Sequence, residues 1–269
     1  MKRAWPTSIV LSLLAAPALA EEIQEESAQD PVEVRIVGQK ADAIQKIPGS
    51  LTVIDKQEIE QTHAIDTAEL LRRVPGLNVR EDTSGGGRLD IGIRGLDPGR
   101  SRRLLVLEDG VPLAINPYAE ADLYFVPQVE RMIRVEVLKG SGSILFGPQT
   151  IGGVVNFGTV LPPYRTESYV SVEAGEHGYA RTIARFGTAL PAGSDREPVR
   201  VLTQVVVKGG DGPREAAFTD HDALFKMVFP TGPRGQATLK LAGHHARAVS
   251  EDVGLTSAMF AEDPRRPAL

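Results

Sequence analysis

The chain has 269 residues, no cysteine and a formal net charge of −5. The lack of cysteine excludes a disulfide framework and a thiolate metal site, and the acidic balance argues against nucleic acid as a partner. No segment is continuously apolar over the ~20 residues that a membrane-spanning helix needs, so any membrane insertion would use β-strands.

Residues 1–20 have the pattern of a cleaved secretory signal peptide. Lys2 and Arg3 give a basic start, residues 9–16 are apolar, and Ala18-Leu19-Ala20 fits the cleavage site. Cleavage would lower the net charge to −7, because Lys2 and Arg3 leave with the peptide. A short buried helix is the alternative, but the position of the basic residues favours export.

Residues 21–45 are predicted to form a flexible N-terminal segment, because they begin with an acidic, polar stretch that has little to bury. A short alternating strand lies inside this segment, formed by Val32, Glu33, Val34, Arg35, Ile36 and Val37. No segment adjacent in sequence can pair with it. It is either a site for strand addition by a partner or an edge strand of the following domain.

A compact α/β unit is predicted from Ser50 onward. Asp55 with Glu58, and Asp66 with Glu69, have the spacing of capping boxes at the starts of two helices. The predicted elements are, in order, a strand, two helices and three short strands, at 51–54, 56–61, 67–73, 77–80, 90–93 and 104–107.

A glycine-rich loop joins two apolar, strand-like runs within residues 135–157. Gly142 and Gly147 have the spacing of a phosphate-binding P-loop, but Pro148-Gln149 stands where that loop needs Lys and Ser or Thr. Leu145 occupies the position of the third glycine of a dinucleotide fingerprint. We therefore interpret the loop as a packing device against which a large surface presses.

Beyond Pro162-Pro163 the sequence predicts strands joined by turns, without helices. The alternation is clear at 221–229, where Asp222 and Lys226 could face a lumen while His221 and the apolar residues face lipid. A soluble β-sandwich would alternate in the same way. The five predicted strands are 168–174, 180–186, 199–207, 221–229 and 236–244. Five strands cannot close an outer-membrane barrel, which predicts a fragment or a truncated gene.

The sequence contains no catalytic constellation, and the chain is predicted not to be an enzyme. His63, His177 and His221 have no metal-type partner at helical spacing. His244-His245 lies on a predicted strand, where neighbouring side chains point to opposite faces and cannot easily share a metal.

Several local runs, in their order along the chain, resemble the TonB-dependent outer-membrane receptors, in which a globular plug lies inside a large β-barrel. The matching runs are residues 32–37, Ile47-Pro-Gly-Ser-Leu-Thr-Val-Ile54, Leu70-Leu-Arg-Arg-Val-Pro-Gly76, Ile93-Arg-Gly95, Leu107-Glu-Asp-Gly-Val-Pro112 and Gly152-Gly-Val-Val-Asn-Phe157. The resemblance implies an α+β plug domain at 46–161. It further implies antiparallel transmembrane β-barrel strands at 164–269, the N-terminal part of an incomplete barrel.

The resemblance also implies partners. Residues 32–37 would be the TonB box, which contacts the energy-transducing protein TonB in the periplasm by strand addition, while the barrel contacts outer-membrane lipid. Arg94 and Lys139 would pair with barrel carboxylates and lock the plug, although Lys139 stands where arginine is more usual. Their barrel partners would lie beyond Leu269.

Residues 146–157 are most similar to the ferric citrate receptor branch, which implies active uptake of a ferric chelate such as a siderophore or iron citrate. No cofactor is implied, since iron enters only as part of the transported chelate. A soluble exported binding module with a plug-like domain, and a non-functional truncated receptor, are the alternatives. The candidate ligand contacts are Arg100, Arg102, Arg103, Asn116, Tyr118 and Glu120. The three arginines suit an anionic chelate.

Overall fold

The computed structural model describes residues 49–81, 87–113, 123–140, 143, 146, 150–192, 197–212, 217–232, 235–248 and 255–264. These residues all belong to one unit within Pro31–Leu269. The predicted signal peptide and the predicted strand at 32–37 lie outside the described residues. No helix in the described ranges is long and apolar enough to cross a membrane.

The structure confirms the two predicted N-terminal helices and their aspartate caps. Strand β1 (Ser50–Ile54) precedes helices α1 (Lys56–Thr62) and α2 (Thr67–Leu71). The Oδ1 atom of each capping aspartate, Asp55 and Asp66, accepts a hydrogen bond of 2.9 Å from the backbone N–H three residues later. That bond satisfies a donor that the helix itself leaves free. Helix α2 ends two residues earlier than predicted, because the chain tightens into i to i+3 turns.

A five-stranded mixed sheet forms the centre of residues 49–161, which we call the N-terminal module. Strands β2 (Leu77–Glu81) and β3 (Leu89–Ile93) form a separate antiparallel pair. In spatial order, the strands of the mixed sheet are β1, β6 (Met132–Lys139), β7 (Gly153–Thr159), β4 (Leu104–Glu108) and β5 (Val111–Pro112). Strand β4 pairs with β7 in parallel, and the other neighbours pair antiparallel.

The N-terminal module has an apolar core of its own. The two predicted helices and the sheet bury Leu70, Leu71, Val135 and Phe157 completely. Each such side chain stabilises the fold by roughly 1.5–3 kcal/mol relative to an exposed one. The largest cluster of buried apolar residues draws all its members from this module. The main core of the module is therefore packed without side chains from the strands that follow.

Gly152 and Gly153, at the end of the glycine-rich loop, lie against backbone of the N-terminal module itself. Gly153 has φ of 150°, and a Cβ atom there would collide with the Leu138 carbonyl oxygen. A Cβ atom on Gly152 would lie 2.9 Å from the Arg103 carbonyl oxygen. Both neighbours belong to the module itself, so these glycines allow its own backbones to approach each other.

The second sheet is an antiparallel meander in which each strand pairs with the next. Its strands are β8 (Glu167–Ala174), β9 (Ala180–Leu190), β10 (Val199–Gly210), β11 (Phe218–Pro230) and β12 (Gln236–Ala248). Its inner face contacts the N-terminal module and its outer face is exposed. Asp222 and Lys226 are buried on the inner face, while His221 and Ala223 are exposed, which confirms the predicted alternation.

A short helix, α3 (Ser257–Glu262), follows the meander. The prediction of a helix-free second part is therefore wrong. The Thr256 hydroxyl oxygen caps this helix by accepting from Met259 N at 3.2 Å. The sequence holds the signal for it, because threonine is a good N-cap residue.

Candidate functional site

Charged side chains on a tight turn of the N-terminal module contact the inner face of the meander. The turn is a 3-10 helix at Val129–Arg131 that leads directly into β6. The Arg131 N–H donates to the Gln128 carbonyl at 3.0 Å, and the Val160 N–H donates to the Arg131 carbonyl at 2.8 Å. The turn is thus fixed on both sides, and it holds Glu130 and Arg131 buried against the meander.

Glu130 is held by two cations of the meander. Lys208 Nζ on β10 lies 3.0 Å from Glu130 Oε1, and Arg181 Nη1 on β9 lies 3.2 Å from the same oxygen. Both cations also donate to the segment between α1 and α2, Lys208 to the Ile65 carbonyl at 2.9 Å and Arg181 to the Ala64 carbonyl at 3.0 Å. Lys208 and Arg181 therefore hold β10 and β9 both to Glu130 and to the segment between α1 and α2.

Arg131 forms a bidentate pair with Asp222 on β11. Its Nε lies 2.7 Å from Asp222 Oδ1 and its Nη2 lies 2.6 Å from Asp222 Oδ2, while Nη1 donates to Glu108 Oε1 at 3.3 Å. Burial lowers the pKa of Arg131, but Asp222 and Glu108 outweigh burial and raise this pKa above its ordinary value. The planar guanidinium matches the two carboxylate oxygens, a geometry that lysine cannot reproduce.

Asp109, in the turn between β4 and β5, is the third contact. Its Oδ2 lies 3.0 Å from Lys226 Nζ and 2.7 Å from Lys240 Nζ. Thr159 donates to both carboxylate oxygens, from its N–H at 2.8 Å and from its hydroxyl at 2.7 Å. Burial raises the pKa of Asp109, but the two lysines and Thr159 outweigh it and lower the pKa to about 2.

The Asp109 contacts predict an acid-sensitive interface. The folded-state pKa of about 2 lies below the ordinary value of 3.8, so ionised Asp109 contributes stability above about pH 4 that is lost as pH falls toward 2. The contribution is about 2 kcal/mol. We expect urea unfolding of the chain to show a shallower loss of stability over that range in Asp109→Asn than in the unmodified protein. The exposed Asp211→Asn is the control, and equal slopes for Asp109→Asn and the unmodified protein would contradict the assignment.

Apolar contact across the interface is small compared with its charge. In the described part of the chain, the buried apolar cluster shared by the two sheets consists of Val160, Leu202 and Leu224, with Ile133 packed against it. Buried ion pairs give little net stability relative to apolar packing, because desolvation of the charges offsets their attraction. The ion pairs therefore fix the position of the module more than they fix its stability.

The predicted lock residues Arg94 and Lys139 lie elsewhere. Lys139 is paired in register with Gly153, at the end of the mixed sheet opposite to the Val129–Arg131 turn. Its Nζ donates to the Pro75 carbonyl at 2.9 Å and to the Thr52 hydroxyl at 3.2 Å. Burial and the charge of Arg94 lower the pKa of Lys139. Among the described residues neither side chain forms an ion pair with a carboxylate, so their locking role stays a prediction.

Three of the predicted ligand contacts lie among the described residues. Arg100, Arg102 and Arg103 are exposed on the segment that precedes β4. The Ser101 hydroxyl anchors this segment, accepting from Ile91 N at 2.9 Å and donating to the Leu89 carbonyl at 3.1 Å. Asn116, Tyr118 and Glu120 lie outside the described residues.

The sequence-based prediction missed Glu130 and Arg131. Their sequence carries no distinguishing signal, because adjacent residues of opposite charge are equally typical of a solvated turn. No group of three or more candidate ligands that could hold a metal occurs among the described residues. His244 instead lies between two carboxylates, 3.3 Å from Asp220 and 3.4 Å from Asp222.

Comparison with known proteins shows what the chain is similar to. Residues 43–154 match the family described as TonB-dependent Receptor Plug Domain. The vitamin B12 transporter BtuB of Vibrio vulnificus is 34% identical over 181 residues, covering 67% of this chain and 28% of the relative. The iron-regulated outer membrane virulence protein of Vibrio cholerae is 32% identical over 169 residues, covering 58% and 24%. The chain thus spans about a quarter of the length of these relatives.

Solved structures agree on the fold. The unliganded ferric citrate transporter FecA aligns with 85% of this chain and 35% of its own, with a TM-score of 0.66 and 24% identity. The predicted fold class, a plug followed by antiparallel strands like those of receptor barrels, is confirmed. Two of these proteins are named transporters and one is named an outer membrane protein, and none is named an enzyme. Residues 43–154 belong to the plug domain family of the TonB-dependent receptors, and the chain as a whole is similar to the TonB-dependent outer-membrane receptors.

Proposed function

We propose that the protein is a receptor for active uptake of a scarce nutrient, driven by TonB. We call the N-terminal module the plug and the meander the wall. The observation that supports the proposal most is that the core of the plug is apolar, whereas its contacts with the wall are charged. A body with its own core can move without exposing that core, and separated ion pairs can be hydrated. The main core of the plug can thus stay buried while its charged contacts with the meander are separated.

Energy coupling is proposed to act through residues 32–37. The alternating sequence of these residues predicts a strand with no pairing segment adjacent in sequence, which suits strand addition by TonB. Deletion of Val32–Val37 from the gene in its own bacterium should abolish uptake of the ligand, while binding to whole cells stays unchanged. Deletion of the same length within residues 21–30 is the matched control. Undiminished uptake after removal of Val32–Val37 would refute the coupling.

A ferric chelate is the proposed ligand. Arg100, Arg102 and Arg103 present three cations on one exposed segment, which suits an anionic iron complex. Two of the similar proteins are named for ferric citrate transport and for iron regulation, whereas BtuB is named for vitamin B12.

Whole-cell uptake of labelled ferric citrate, a ferric siderophore and cyanocobalamin separates these ligands. Replacement of all three arginines by glutamine should reduce uptake of the ferric ligand at least tenfold, because each charged contact is worth about 1.5–3 kcal/mol. Arg73→Gln, exposed on the same domain, is the control. Uptake of cyanocobalamin alone would overturn the iron assignment.

Arg94 and Lys139 are proposed to lock the plug to carboxylates of the barrel wall. Two neighbouring cations at one end of the mixed sheet repel each other unless carboxylates approach them. If a wall carboxylate pairs with them, Arg94→Gln should lower the stability of the assembled receptor and leave the Glu130 contacts intact.

A further inference from the structure

The outer face of β11 and β12 changes from apolar to polar along the length of the strands. Register-paired residues on this face form six rows, which are Phe229–Ala237, Met227–Leu239, Phe225–Leu241, Ala223–Gly243, His221–His245 and Thr219–Arg247. The first four rows are apolar, and Leu241 is 59% exposed. The last two rows are polar or basic. An apolar band therefore ends where the histidine row begins.

The height of this pattern matches a membrane. Phe229 and Thr219 are ten residue steps apart on β11, which at ~3.3 Å per step and a strand tilt of ~40° rise ~25 Å. The four apolar rows, from Phe229 to Ala223, account for ~15 Å of this rise, and the two polar rows extend the pattern to the ~25 Å that separates the two edges of the apolar band of outer-membrane barrels. If Phe229 lies at one edge of the band, the Thr219–Arg247 row lies at the other edge, where lipid headgroups begin.

The polar rows form a compact set of donors. The His221 and His245 rings stack with centroids 6.4 Å apart, and both are exposed. Arg247 is exposed next to them and forms no ion pair with any residue that the structure describes. Thr219 adds a hydroxyl beside it. A guanidinium, two imidazoles and a hydroxyl at headgroup level are complementary to a phosphate group.

We propose that Arg247, with His221, His245 and Thr219, binds the anionic phosphate of an outer-membrane lipid headgroup. The site lies outside the barrel and is independent of the nutrient ligand. It would fix the depth and rotation of this part of the barrel wall in the membrane, since one charged contact anchors the edge of the apolar band. The proposal rests on the membrane-spanning arrangement of the meander, and not on the nature of the transported nutrient.

The test uses the absence of cysteine from the chain. Val207 pairs in register with His221 on the outer face, so Val207→Cys accepts a single fluorophore beside the site. The labelled receptor is reconstituted in phosphatidylcholine vesicles that contain increasing amounts of phosphatidylglycerol with a nitroxide on its headgroup. We expect quenching at low fractions of this lipid. Arg247→Gln should raise the fraction needed for half-quenching about fivefold, since a basic residue near an anionic surface contributes ~1 kcal/mol.

Variants on the outer face and on the plug test whether the lipid phosphate binds at Arg247. Arg73→Gln on the plug should leave the quenching curve unchanged, and His221→Gln with His245→Gln should shift it in the same direction as Arg247→Gln. Equal curves for Arg247→Gln and the unmodified receptor would overturn the proposal. So would full relief of quenching by inorganic phosphate, because this would identify a site for the free ion. A nitroxide on Thr219→Cys as deep in the bilayer as one on Leu239→Cys would overturn the depth assignment.

Discussion

Replacement of Arg131 by methionine should lower the free energy of unfolding of the chain by about 3–5 kcal/mol, because removal of one partner leaves a buried charge uncompensated. The side chains of Arg131 and Asp222 are each 1% exposed. Methionine has a similar length and no charge, so Asp222 would lose both of its guanidinium contacts. Urea unfolding in detergent micelles measures the difference.

The double variant Arg131→Met with Asp222→Leu separates loss of charge from loss of shape. It should recover most of the stability, because an apolar pair of similar volume replaces a buried ion pair with little net cost. Arg72→Met is the control. Arg72 pairs with Glu81 at 2.6 Å but is about half exposed, so this substitution should lower the free energy of unfolding by at most about 1 kcal/mol. A double variant no more stable than Arg131→Met would mean that the residue acts through packing.

Glu130→Gln should also lower the free energy of unfolding by about 3–5 kcal/mol, because it leaves buried cations without their carboxylate. The side chain of Lys208 is fully buried and would keep its bond to the Ile65 carbonyl, but it would face a neutral amide instead of a carboxylate. Addition of Lys208→Met should restore much of the loss, because the buried ammonium is then gone.

The control for Glu130 is Glu173→Gln, which removes the second carboxylate partner of Arg181. The Glu173 side chain is 35% exposed, so solvent screens the pair and the loss should stay below about 1 kcal/mol. Equal losses for Glu130→Gln and Glu173→Gln would show that burial does not decide the strength of these contacts. Limited proteolysis of both variants checks that each one folds.

The elements of the plug were predictable because their signals are local. Asp55 and Asp66 mark helix starts through a bond to a backbone group three residues away. The alternation at 221–229 predicts which residues face inward, since successive side chains of a strand point to opposite faces. The ends of the strands were less predictable. Strands β10 and β11 each extend past the predicted runs, through residues that continue the pairing between them.

The contacts between plug and wall were not predictable from one sequence. Glu130 and Lys208 are 78 residues apart, and Arg131 and Asp222 are 91 apart. No local pattern states which of many charged residues meet across such distances, since the pairing depends on how the two sheets dock. The family motif directed attention to Arg94 and Lys139, which lie at the other end of the mixed sheet.

The pairing of β1 with β6 determines where mechanical force would act first. Strand β1 is an edge strand, and its first pair, Ser50 with Lys139, lies at the far end of β6 from the turn at Val129–Arg131. A pull on the chain before Ser50 would unzip β1 from that pair toward Ile54 with Val135. The plug could therefore lose an edge strand, and open partly, while Glu130 and Arg131 still hold it to the wall.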